Sequence, residues 1–105
     1  MPDRDSLLAA MRGRAAGLRS LGYRVRFDLD DDAGSILLDA RPGEFDLRAA
    51  DGTEAADSVL LLSPGNLEKL IAGRLSPMLA FATGKLRVEG SKGVAMKLAS
   101  LLDED

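Results

Sequence analysis

The feature that most constrains this chain is a change of hydrophobic period at Gly22. Before it, Leu7, Leu8, Met11, Ala15 and Leu18 recur at helical spacing, with Arg12, Arg14 and Arg19 on the other positions. After it, Tyr23, Val25, Phe27 and Leu29 alternate with Arg24, Arg26, Asp28 and Asp30. The first pattern predicts an amphipathic helix over 5–21, and the second a strand with one wet face. A chain that starts this way must lay a helix on one face of a sheet, which fixes a layered architecture.

Punctuation divides the rest. Asp31, Asp32, Ala33 and Gly34 read as a turn, and segment 35–41 as a second strand broken by Pro42-Gly43. Segment 44–49 resumes alternation with Phe45 and Leu47, and Asp51-Gly52 marks a further turn. Val59 to Leu62 is a continuous apolar run, which suits a strand covered on both faces. Ser63-Pro64 and Ser76-Pro77 are two helix starts, each a hydroxyl N-cap followed by proline at the first helical position. Gly73 and Gly84 close those helices. Leu86 and Val88 alternate with charged residues in a fifth strand, Gly90 to Gly93 is a tight connection, and 94–102 is a final helix before the tail Asp103-Glu104-Asp105. The expected product is an α+β domain over residues 1–105. Its short-linked early strands should run antiparallel, and its sheet should bury one face under helices.

Composition removes whole classes of function. With no cysteine and no histidine, disulfides, Cys or His metal sites and Cys or His nucleophiles are excluded. The acids at 28, 30, 31 and 32 lack calcium-loop spacing, and Gly84, Gly90 and Gly93 do not form a phosphate loop. The net charge of −3 gives no support to a nucleic-acid surface. Charge is uneven, at +4 over residues 1–27, −9 over 28–68 and +5 over 69–102. The basic Lys85, Arg87, Lys92 and Lys97 either meet an anionic headgroup or membrane transiently or form a solvated face. No apolar run reaches the ~20 residues of a membrane span, and a polar, acidic start is wrong for a signal peptide, so a cytoplasmic protein is expected. No catalytic constellation and no cofactor motif is legible.

Segment 84–98, GKLRVEGSKGVAMKL, preceded by Ser76 to Thr83, resembles the C-terminal signature of the sterol carrier protein 2 (SCP-2) lipid-transfer family. The strand-then-helix order of 56–75 resembles the same family. The resemblance implies a five-stranded mixed, mainly antiparallel sheet packed against helices, with an apolar tunnel between them that takes sterols, fatty acids, acyl-CoA or phospholipids; with no catalytic constellation legible, the expectation is non-catalytic binding. Under it, the lining residues are expected to be Val25, Phe27, Phe45, Leu47 and Leu61 from the sheet, Met78 and Phe81 from the short helix, and Val94, Met96, Leu98 and Leu101 from the last helix. An empty tunnel is costly. Even ~300 Å³ at ~24 cal/mol/Å³ amounts to about 7 kcal/mol. The expectation is therefore a filled tunnel or a last helix collapsed inward. The alternative is an interaction module, a homodimer or accessory subunit with a core filled by its own side chains.

Overall fold

The computed structural model describes residues 3–30 and 32–102. Asp31 and the acidic tail named above lie outside them. The elements are α1 (Arg4–Arg12), α2 (Ala15–Leu18) continuing into a 3₁₀ turn (Arg19–Leu21), β1 (Arg24–Leu29), β2 (Gly34–Asp39), β3 (Asp46–Ala50), β4 (Ser58–Leu62), α3 (Pro64–Ile71), α4 (Pro77–Ala82), β5 (Leu86–Gly90) and α5 (Lys92–Leu102). The strands form one sheet in the order β3-β2-β1-β4-β5. The β1–β2, β2–β3 and β4–β5 pairs are antiparallel, whereas β4 returns parallel to β1. The α+β class and the mixed sheet are thus as expected.

Alternation decides which face is covered. Val25, Phe27, Leu29, Ile36, Leu38, Leu47, Leu60, Leu62 and Leu86 point to the helical side and join one buried core. The helices contribute Leu7, Leu8 and Met11 from α1, Leu67, Leu70 and Ile71 from α3, and Val94, Leu98 and Leu102 from α5. The outer face carries charge. Arg26 chelates Asp28 with Nε and Nη2, at 2.9 and 3.0 Å, and donates Nη1 to the Glu54 carbonyl at 2.7 Å. Asp39 takes Arg41 at 2.7 Å and lies 3.5 Å from Arg24. The Arg41 hydrogen bonds hold the Asp39 carboxyl below its ordinary range, against the opposing pull of desolvation.

Three expectations about elements change. The long first helix breaks after Arg12. Gly13 caps α1, and the Arg14 side chain leaves the helix to donate to the carbonyls of Ile71 at 2.7 Å and Leu102 at 3.0 Å. One guanidinium thereby satisfies the C-terminal carbonyls of both α3 and α5. The run Val59–Leu62 is not covered on both sides. It lies between β1 and β5, with Leu60 and Leu62 buried while Val59 and Leu61 are half-buried on the outer face. Finally, α5 starts at Lys92, with the Ser91 hydroxyl accepting from the Val94 amide at 3.2 Å, so Gly93 belongs to the helix.

Along β3, Arg12 donates to the Leu47 carbonyl at 3.1 Å, so α1 occupies an acceptor that another strand would use, while Arg4 donates to the Ala50 carbonyl at the strand's end at 3.2 Å. At the other edge, β5 ends in Gly90, opposite Ser58 of β4. A side chain at Gly90 would stand 2.8 Å from the Asp57 carbonyl, in a backbone at φ +81°.

Candidate functional site

The space between the sheet and the middle of α5 is closed. Leu98 and Leu102 descend onto Phe27, Leu60, Leu70 and Leu86, leaving a remnant of about 10 Å³. Of the two expected states, this is the inward-packed helix. A hollow larger than this remnant lies beside α5. It is a cleft of about 220 Å³, half-open to the surface, between α4, β5 and the flank of α5.

Each wall has a reason in the sequence. Ser76 caps α4 by accepting from the Leu79 amide, and Pro77 opens the helix, which fixes where Met78 and Phe81 emerge. Leu86 and Val88, the inward residues of β5, form the floor. Lys92, Ala95, Met96 and Ala99 form the opposite wall, at the three- and four-residue spacing of a single helix face. The two alanines leave the space. Larger residues there would fill it as Leu98 and Leu102 fill the neighbouring face. The cleft and the closed remnant share Pro77, Leu86, Ala95 and Ala99, so the cleft adjoins the packed core.

Of the eleven residues expected to line a lipid site, Met78, Phe81 and Met96 meet in this cleft. Phe27 and Leu98 face the closed remnant. Val25 is fully buried and Val94 nearly so, both within the core. Leu101 is half-buried against that core. Leu47 is on β3, at the opposite edge of the sheet. Phe45 is also remote, with the Arg19 guanidinium 4.3 Å above its ring centre. Leu61 is on the outer face, in register with Arg87. The expected list lacked Pro77, Leu86, Val88, Lys92, Ala95 and Ala99. The 92, 95, 96, 99 spacing was the available signal for four of the nine lining residues.

Chemically the cleft is bare. Lys92 is the one charged group among the lining residues, and no carboxylate, hydroxyl or amide accompanies it. Among the described residues no cluster of acids could hold a metal ion, and no helix is long and apolar enough to cross a membrane. Such walls can desolvate hydrocarbon but offer no acid–base pair.

A sheet covered by helices on one face, with an apolar, chemically bare cleft at its edge, defines the class as a small α+β domain. A sequence model of the SCP-2 sterol transfer family matches residues 5–103, and the chain belongs to that family. It is 39% identical over 88 residues to sterol carrier protein 2 of Rattus norvegicus, an alignment covering 80% of this chain and 16% of the rat protein. It is 30% identical over 74 residues to hydroxysteroid dehydrogenase-like protein 2 of Xenopus tropicalis, covering 70% of this chain and 18% of that one. The chain therefore spans less than a fifth of the length of these relatives. Its fold matches the solution structure of the sterol carrier protein domain 2 of Helicoverpa armigera with a TM-score of 0.69 and 26% identity, over 93% of this chain and 80% of that one. Lipid binding or transfer is the general role this family and fold support.

Proposed function

We propose that this chain binds a single-chain anionic lipid non-catalytically, in the cleft between α4, β5 and α5, and passes it on. The observation that carries this reading is the coincidence of an apolar cleft with a single cation at its wall. Met78, Phe81, Leu86, Val88, Ala95, Met96 and Ala99 enclose hydrocarbon, while Lys92 meets a carboxylate or phosphate head. The volume of about 220 Å³ lies below the ~300–1,000 Å³ of usual ligand sites. A flexible chain can enter such a space by small rotations of the two methionines, whose unbranched side chains adapt readily. A rigid fused-ring ligand would require α4 and α5 to separate. Burying ~300 Å² of hydrocarbon contributes roughly 8 kcal/mol before association costs, which puts micromolar affinity within reach.

Native mass spectrometry of freshly purified protein, with organic extraction and lipid analysis, tests this. The expected result is a one-to-one complex dominated by fatty acids or other single-chain anionic lipids. Protein that stays free of lipid even after incubation with excess palmitate would contradict the proposal.

A further inference from the structure

Helix α4 departs from what water requires of a surface helix. No side chain from Pro77 through Ala82 is polar, yet only Pro77 and Ala80 are buried. Met78, Leu79 and Phe81 are 54%, 56% and 48% exposed, and Met96, across the cleft, is 51% exposed. These are four of the five large hydrophobic side chains exposed among the described residues. They gather on α4 and on the facing wall of the cleft, a concentration that marks an interaction surface. Three of them line the cleft and Leu79 stands outside it.

The charge around this patch selects the partner. Residues 77–102 carry Lys85, Arg87, Lys92 and Lys97 against Glu89, a net +3, on a chain of net −3. Arg87 shares the outer sheet face with Leu61, and the Lys97 ammonium sits 5.5 Å over the Tyr23 ring. Lys85, three residues past α4, and Lys92, in the cleft wall, are left beside the apolar patch. Neither forms a salt bridge among the described residues. A second copy of this face would set cation against cation. An anionic bilayer supplies both a hydrocarbon layer for the apolar side chains and negative charge for the lysines.

We propose that α4 and the rim of the cleft dock on an anionic phospholipid surface, with Met78, Leu79 and Phe81 entering the acyl boundary and Lys85 and Lys92 among the headgroups. The cleft then opens onto the membrane, and a hydrocarbon chain moves between the two without crossing water. This route rests on the ligand proposal above, whereas the docking itself does not.

The test is flotation of the intact protein with vesicles of phosphatidylcholine, with and without phosphatidylglycerol, at low and high salt. Binding to the anionic vesicles should be at least about tenfold tighter than to neutral ones and should weaken as salt screens the lysines. Leu79→Asp should lower vesicle binding by about tenfold or more. Because Leu79 is outside the cleft, that variant should keep wild-type affinity for a fluorescent fatty acid in solution, which also reports that it is folded. Lys85→Glu, a surface change, should lower binding to anionic vesicles alone. Docking is overturned if the wild type ignores anionic vesicles, or if Leu79→Asp floats like the wild type. A wild-type dimer in vesicle-free solution that Leu79→Asp dissociates would likewise overturn it in favour of a second copy. Vesicle binding without fatty-acid binding would sustain docking and defeat the ligand proposal.

Discussion

Truncation of Phe27 to alanine is expected to destabilise the protein by about 3–5 kcal/mol. Phe27 is fully buried at the middle of β1, the central strand of five. Its ring meets Leu60, Leu70, Leu98 and Leu102 where only about 10 Å³ remains unfilled. Removing the ring forfeits its transfer free energy and leaves a void that two layers tied by strands and by Arg14 cannot close. A domain of this size has about 5–15 kcal/mol of stability in total, so the variant should sit close to unfolding. Urea denaturation reads this as a large fall in midpoint at unchanged slope. Phe81→Ala is the internal comparison. Its ring is 48% exposed on α4, and the expected cost is within about 1 kcal/mol. A small cost for Phe27→Ala would mean that a ligand-sized space already exists beneath α5, contrary to the packing described.

The second large effect concerns ligand. Ala99 lines both the cleft and the closed remnant behind it, so a bulky side chain at that position obstructs the cleft. Ala99→Trp is expected to displace ~120 Å² of ligand contact, worth roughly 3 kcal/mol, and to weaken fatty-acid binding by about 100-fold. The indole has room in the cleft, so the protein should stay folded with a cooperative urea transition. Displacement of a fluorescent fatty acid measures the change. Affinity within about twofold of the wild type would place the hydrocarbon somewhere other than between α4 and α5.

Much of this architecture is legible in the sequence. The alternation of Val25, Phe27 and Leu29 with Arg24, Arg26 and Asp28 names the buried face of β1, because side chains in a strand have a period of two. Ser63-Pro64 and Ser76-Pro77 mark the starts of α3 and α4 through hydroxyl–amide bonds formed within three residues. What was hidden depends on partners distant in sequence. Nothing near Gly13 announces that Arg14 will leave its helix for the carbonyls of Ile71 and Leu102, dozens of residues away. The parallel pairing of β1 with β4 is likewise non-local. The run Val59–Leu62 contains no polar residue to reveal that Leu61 faces outward with Asp28 and Arg87.

The candidate site was legible in one third of its lining. Met78, Phe81 and Met96 follow from apolar character beyond the needs of the core. The location of the hollow does not, because it depends on which face of α5 meets the sheet. Val94, Leu98 and Leu102 take that contact and close it, while the smaller Ala95 and Ala99 keep the flank open. An apolar helix therefore points to a hollow at its surface, but the space lies beside the helix and not beneath it.

The most direct measurement is a titration of ¹⁵N-labelled protein with palmitate, followed by backbone amide chemical shifts. The account predicts saturable changes concentrated on α4, β5 and the first half of α5, at Met78, Phe81, Val88, Lys92 and Met96, with Phe45 and Leu61 unmoved. Shifts centred on the outer sheet face around Leu37 and Leu61, or none with palmitate in excess, would contradict it.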